Sequence, residues 1–274
     1  MRASWGKQSV GQASCSPTHA SKALALPGPI RPYLPMHCRL YIEEEINIGE
    51  SIGLPSDQGH YLRTVMRLGP GSPVVLFNGF GGEYQGTIEI LTKQESSIHV
   101  ESFADISREM PVSVHIVQAA CRNEKIETVL QKATELGAAS FTIIRSERSS
   151  LKLDANKLGK RIERWQKIII EAAEQSERTS VPKVQWLNKL SDVDAKGMAF
   201  TLHPETDTSW PEQRSNMASA SNITLAIGPE GGWSPRDIEI LASAGFQSLT
   251  FGPRVMRTET AAPALLAAIQ SLLD

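Results

Sequence analysis

The chain has 274 residues, which can bury one large core or two modest ones, and two domains is the expected number. With 41% hydrophobic and 21% charged residues it is neither a disordered chain nor a fibrous repeat, and no window comes near the ~18 consecutive apolar residues of a membrane-spanning helix. A net charge of −2 gives no sign of a nucleic-acid partner, but the distribution is uneven: residues 36–110 hold five Lys/Arg against eleven Asp/Glu, and residues 111–183 hold thirteen against nine. Cys15, Cys38 and Cys121 are far apart and odd in number, which argues against a disulfide framework and a cysteine metal site. No metal is expected, and a reducing compartment such as the cytoplasm fits.

Residues 1–35 contain no Asp or Glu and show no period, so they read as a disordered extension. Met36 is the candidate functional start, and the residues before it are either a targeting peptide for organellar import or an upstream misassigned start. Arg39, Leu40, Tyr41 and Ile42 alternate as a strand does. Residues 57–68 predict a helix that carries His60, Arg63 and Arg67 in one row. Strands follow at 74–77, 83–90 and 97–101, with Asn78-Gly79-Phe80-Gly81-Gly82 as a turn, and this pattern predicts a small β-barrel.

After Pro111 strands alternate with helices, the signature of a parallel α/β sheet, which puts a domain boundary near residues 105–111. A buried strand is expected at 112–119, a helix at 124–136 closed by Gly137, and a strand at 140–144. The helix expected at 158–175 turns Ile162, Trp165, Ile169 and Ala172 inward and displays Lys160, Arg161, Arg164 and Lys167. Further strands are expected at 198–202, 223–227 and 247–251. A helix at 235–244 is announced by Ser234 as cap and Pro235 at its first position, and a final apolar helix covers 262–272.

Three loops at strand ends gather polar or small residues. Gly228-Pro229-Glu230-Gly231-Gly232 lies between a buried strand and a helix, where open α/β sheets bind ligands. Its glycines let backbone N–H groups approach a ligand closely, yet a structural turn explains them equally well. The spacing fits neither a dinucleotide fingerprint nor a P-loop, so a nicotinamide oxidoreductase is not indicated. The second loop, residues 252–261, carries Arg254, Arg257, Thr258, Glu259 and Thr260, either a polar site or a capped helix start. Leu202 and His203 end a third strand at the same edge.

Four stretches then carry a resemblance. His60-Tyr61-Leu62-Arg63-Thr64-Val65-Met66-Arg67, Gln131-Lys132-Ala133-Thr134-Glu135-Leu136-Gly137, Glu171-Ala172-Ala173-Glu174-Gln175-Ser176-Glu177-Arg178 and the two C-terminal loops resemble, in order and spacing, the RsmE-type 16S ribosomal RNA (uracil-N3) methyltransferases of the SPOUT superfamily. The resemblance covers residues 36–274. It implies a PUA-like β-barrel RNA-binding domain over residues 36–108 and an α/β methyltransferase domain with a deep trefoil knot over 109–274. It also implies a homodimer, S-adenosyl-L-methionine as donor, and 16S ribosomal RNA within the small ribosomal subunit as substrate. Leu202, His203, Gly228, Pro229, Gly231, Gly232, Leu249, Gly252, Val255 and Met256 are the implied donor contacts, Val255-Met256 replacing the family's usual Ile-Leu.

Uracil N3 is a poor nucleophile until its proton is lost, so the site needs a base or an anion-stabilising cation. Arg257 is the expected cation, Glu259 its orienter or the proton acceptor, and Thr260 the third candidate catalytic residue. For RNA, the candidates are Arg39, His60, Arg63, Arg67, Arg145 and Arg148, with Gln175 and Arg178 expected at the same pocket. The competing readings are methylation of a ribose 2′-oxygen and a non-enzymatic RNA-binding module.

Overall fold

A computed structural model describes residues 38–151, 155–204, 206 and 208–273. The expected extension over residues 1–35, Met36 and Cys15 therefore lie outside the described residues.

The first sheet is built from β1 (Cys38–Tyr41), β2 (Ser51–Gly53), β3 (Pro73–Phe77), β4 (Glu83–Leu91) and β5 (Ser96–Ala104), in the order β1-β3-β4-β5-β2. β1 runs parallel to β3 and the other pairs are antiparallel. Leu40, Val74, Leu76, Ile88, Ile98 and Val100 form its core. α1 (Ser56–Thr64) closes one side by inserting Leu62, which is wholly buried. The helix ends earlier than the sequence pattern predicts. Arg67 takes the left-handed conformation, with φ 54°, and Leu68 N–H donates to Leu62 O at 3.0 Å, so Met66 and Leu68 turn back against the core. Arg67 is thus not in a helical row with His60 and Arg63. β2 has only three residues and was not expected.

The second sheet is wholly parallel. It comprises β6 (Ser113–Ala119), β7 (Ser140–Ile144), β8 (Lys183–Leu187), β9 (Met198–Leu202), β10 (Asn222–Ile227) and β11 (Gln247–Leu249), in the order β11-β9-β10-β6-β7-β8. The chain winds outward from β6 through β7 to β8, then crosses back to lay β9, β10 and β11 on the other side. The reversal falls between β6 and β10, and the carboxyl ends of strands at such a point form a ligand crevice. α2 (Asn123–Glu135) packs against α3 (Ala155–Gln175) and against α6 (Thr258–Leu273), and α4 (Trp210–Ala218) against α6. Trp165, Ile169, Leu265 and Ile269 are fully buried on this side. α5 (Pro235–Ser243) joins a separate core around Val117, Ile144, Trp233 and Leu241.

Local chemistry explains most boundaries. Gly137, at φ 86°, ends α2, and Ser234 caps α5 by accepting from Asp237 N–H at 3.1 Å while the Asp237 carboxylate accepts from Ser234 N–H at 3.1 Å. α6 begins four residues before the expected start because Thr258 is already helical. Its hydroxyl is not an N-cap and serves elsewhere. β11 stops at Leu249, two residues short of expectation. Thr250 is instead held by the preceding crossover: Thr250 N–H donates to Thr208 O and Trp210 N–H to Thr250 O, both at 2.9 Å. Cys38 and Cys121 are buried and unpaired. No helix among the described residues is long and apolar enough to cross a membrane.

The two sheets meet at a network of buried charges. Arg39 of β1 pairs with Glu83 of β4 and donates to the carbonyl of Arg178, just beyond α3, at 3.0 Å. Arg178 in turn pairs with Glu109 and donates from Nη1 to Thr134 O at 3.0 Å and Ala138 O at 2.7 Å. Arg108 joins Glu83 at 3.0 Å to Glu177 at 3.5 Å. These cations, with Arg39 9% and Arg178 4% exposed, are unavailable to phosphate. Both were expected as RNA contacts, and within this chain their guanidinium groups are bonded to these internal partners.

Candidate active site

At the carboxyl ends of β9, β10 and β11, beside the topological reversal, the protein encloses a cavity of about 950 Å³. The strand ends Leu202 and His203, the loop 228–232, and Leu249, Gly252, Val255 and Met256 all line it, so every residue expected around the donor converges on one space. Arg257 lines it as well.

The wall is made largely of backbone. A Cβ at Gly228 would lie 3.3 Å from Trp233 N, and Gly232 sits at φ +67°, which disfavours any side chain. Gly232 N–H donates to Pro229 O at 2.9 Å and closes the turn. Trp233 also lines the cavity, and its buried indole N–H has no acceptor among the described residues. Glycine backbone beside apolar Leu202, Leu249 and Met256 suits a ligand with both polar edges and an apolar face.

Neighbouring elements hold the glycine loop. From the β7–α3 connection, Arg148 Nη1 donates to Gly231 O at 3.0 Å and to Trp233 O at 3.2 Å, and Ser150 Oγ to Glu230 Oε2 at 3.1 Å. Ser234 Oγ donates to the Glu147 carboxylate at 2.6 Å. From α6, the Thr258 hydroxyl donates to Gly228 O at 2.6 Å and accepts from the buried Gln118 Nε2 at 2.9 Å. The Thr258 bond ties the two C-terminal loops together, and Arg148, expected as an RNA contact, is exposed and uses Nη1 to hold the glycine loop.

A chain of charges runs along the rim. Glu230 accepts from Arg122 N–H at 3.1 Å, pairs with Arg122 Nε at 3.4 Å, and lies 3.9 Å from Lys125 Nζ. Lys125 reaches Glu259 Oε2 at 3.0 Å. Burial would raise the Glu230 carboxyl, but its own N–H, that of Arg122, the Ser150 hydroxyl and Lys125 hold it below the usual range. Burial likewise opposes ionisation of Glu259 and is outweighed by its own N–H, by Lys125 and by Arg257. Neither Lys125 nor Arg122 was singled out from the sequence. They follow β6, the other strand at the reversal, after buried Ala120 and Cys121, and no local pattern marks them in the sequence.

The remaining candidates are dispersed. Thr260 is exposed, does not line the cavity, and contributes its backbone N–H to Arg257 O at 2.9 Å in the first turn of α6. Gln175 opens on a separate groove of about 390 Å³ between α2 and α3, among Glu124, Glu127 and Glu171, so within one chain it does not line the larger cavity. His60, Arg67 and Arg145 are exposed, and Arg63 is half-buried and donates to Thr92 O. On α3, Arg164 pairs with Glu127 at 2.6 Å while remaining 63% exposed, so the basic face is partly neutralised. No cluster of three metal-ligating side chains occurs among the described residues.

A parallel sheet with a glycine-walled cavity at its reversal, preceded by a small mixed sheet, has the architecture of an RNA methyltransferase with a PUA domain. The family described as an RNA methyltransferase domain matches residues 108–270, and the one described as an RNA methyltransferase PUA domain matches residues 54–101. The chain belongs to the ribosomal RNA small subunit methyltransferase E family. It is 31% identical to the Bacillus subtilis member over 84% of this chain and 95% of that one. The Neisseria gonorrhoeae member, solved bound to S-adenosyl methionine, matches with 29% identity and a TM-score of 0.78, over 86% of this chain and 98% of that one. A Legionella pneumophila methyltransferase, also solved with that cofactor, matches with 32% identity and a TM-score of 0.80, over 86% and 97%.

Proposed function

We propose that this protein transfers a methyl group from S-adenosyl-L-methionine to N3 of a uridine in small-subunit ribosomal RNA, acting in the cytoplasm as a homodimer. In this reading residues 36–108 form the PUA-like RNA-binding domain, residues 109–274 the methyltransferase domain, and residues 1–35 an extension. The observation that carries it is the glycine wall and Arg257 on one cavity, in a chain of this family whose Neisseria relative was solved with the donor.

When bound, S-adenosyl-L-methionine supplies a methyl group activated by a sulfonium. The backbone of residues 228–232, with Leu249, Gly252, Val255 and Met256, would hold it in line with the acceptor nitrogen. Arg257 stabilises the negative charge that spreads onto the uracil carbonyl oxygens as N3 loses its proton. Glu259, held ionised by Lys125 and Arg257, is a weak proton acceptor, so it orients Arg257 and the N3 proton leaves to water. Arg63, Arg67 and Arg145 meet phosphates, and the uridine enters unpaired because N3 is engaged in a duplex.

The test is mass spectrometry of 16S ribosomal RNA from cells lacking the protein, complemented with the wild type or with Arg257→Ala. The wild type alone should restore a methyl on a uracil N3. A methyl on a ribose, or full restoration by Arg257→Ala, overturns the reading.

A further inference from the structure

We infer that Lys125 is a positioning residue for methyl transfer, joining the loop that holds the donor to the loop that meets the acceptor through Glu230 and Glu259. The inference rests on the function proposed above.

Three observations support it. Lys125 stands in the first turn of α2, directly after β6, and its side chain is only 18% exposed. Its ammonium lies 3.0 Å from Glu259 Oε2 in the acceptor loop and 3.9 Å from Glu230 Oε1 in the donor loop. Glu259 Oε2 is buried, so its charge would be disfavoured there without a nearby cation, whereas Glu230 is exposed and also holds Arg122 and Ser150. Arg122 cannot substitute, because it reaches only Glu230 and its side chain is 65% exposed.

The arrangement gives Lys125 no part in the chemistry itself. Its charge is spent on two carboxylates, and it acts on the reaction through Glu259 and Arg257. Thr258, between those two residues, is bonded to Gly228 O. The acceptor loop is therefore fixed to the donor loop at two points, one neutral and one ionic. Loss of the ionic one lets Glu259 and Arg257 drift, and a displacement of about 1 Å is enough to cost on the order of a hundredfold in rate. The charged groups facing Glu259 are Lys125 and Arg257, with Glu230 and Arg122 behind Lys125.

The experiment uses full-length Lys125→Met and Lys125→Arg. With Lys125→Met, kcat on small ribosomal subunits should fall about tenfold or more while the donor Kd, read by calorimetry, changes less than about threefold. The acid limb of the pH–rate profile should move to higher pH, because Glu259 loses a cation that keeps it ionised. Lys125→Arg should recover most of kcat, and Lys125→Met/Glu259→Gln should be no slower than the slower single variant. Independently of turnover, hydrogen exchange across residues 250–258 should quicken in Lys125→Met and not in Lys125→Arg. Unchanged kcat with unchanged exchange, or fully additive losses in the double variant, overturns the inference. If the wild type itself fails to bind donor or methylate, the proposed function falls, and the exchange result still decides whether Lys125 joins the loops.

Discussion

Replacing Arg178 with methionine should weaken folding while sparing catalysis. The guanidinium is held inside the protein, with its side chain 5% exposed, by Glu109 and by the carbonyls of Thr134 and Ala138. Methionine fills much of the space of the stem but offers none of the donors, so Glu109 and the carbonyls of Thr134 and Ala138 each lose a donor, although Thr134 O keeps the Gly137 N–H. Removing one member of a buried ion pair costs about 3–5 kcal/mol. Glu109 keeps 24% of its side chain in water and retains the N–H groups of Thr179 at 3.3 Å and Ser180 at 3.2 Å, which points to the lower end, about 3 kcal/mol. At roughly 2–4 °C per kcal/mol for a chain of this size, the melting temperature should drop by about 6–12 °C. Thermal and urea unfolding followed by circular dichroism would measure it, beside donor affinity and kcat per folded molecule, which should stay within about twofold. A melting temperature lowered by less than about 2 °C, together with a tenfold fall in kcat, would show that Arg178 meets the substrate and that the structural assignment is wrong.

Other outcomes follow from the same geometry. Gly232→Ala forces a side chain into φ +67°, at a strain of about 1–2 kcal/mol, and should weaken donor binding roughly tenfold in calorimetry while circular dichroism stays unchanged. Arg145→Ala should lower the slope of log K against log salt for RNA binding by about one. Arg148→Ala should instead raise the donor Kd, because Arg148 holds Gly231 O and Trp233 O. The Glu174 carboxyl accepts from Tyr41 N–H at 2.9 Å and is pushed up to about 7, chiefly by burial that outweighs that N–H, with Glu171 adding to it. Its folded pKa exceeds the unfolded one, so the native state binds more protons between them. Stability should then fall as pH rises from about 4.5 to about 7, by at most about 1.4 kcal/mol per pH unit, and Glu174→Gln should flatten that slope in urea titrations at several pH values.

Strands and helices with one apolar face were readable because burial imposes their period. α2 and α3 followed from Ile126, Val129, Leu130, Trp165 and Ile169 at helical spacing, all of them fully buried. β8 escaped because it is a short edge strand, with Lys183 and Gln185 exposed and only Val184 buried, and α4 because it buries little besides Met217. Ser209 and Glu212 did announce the start of α4, as a capping box. The donor wall was readable as glycines at a strand end, whereas the charges were not. Arg39 looks like a surface residue among apolar ones, and its burial depends on Glu83, 44 residues on, and on the Arg178 carbonyl, 139 residues on. Lys125 is similar, since one ammonium between two loops becomes visible only when β6 and β10 lie side by side. Periodicity reports solvent, and pairing across the fold leaves no local trace.

The ion pairs between the two sheets also bear on heredity. Because Arg39 reaches from the first sheet to a carbonyl beyond α3, and Arg108 links Glu83 to Glu177, neither half is a freely exchangeable cassette. A first sheet transplanted from a distant relative would bring its Arg39–Glu83 pair with it, but would lose the bond to the Arg178 carbonyl and the Arg108–Glu177 pair unless residues 177 and 178 matched it. Inherited change at Arg39 or Arg108 should therefore be felt at residues 177 and 178, where the two sheets are joined.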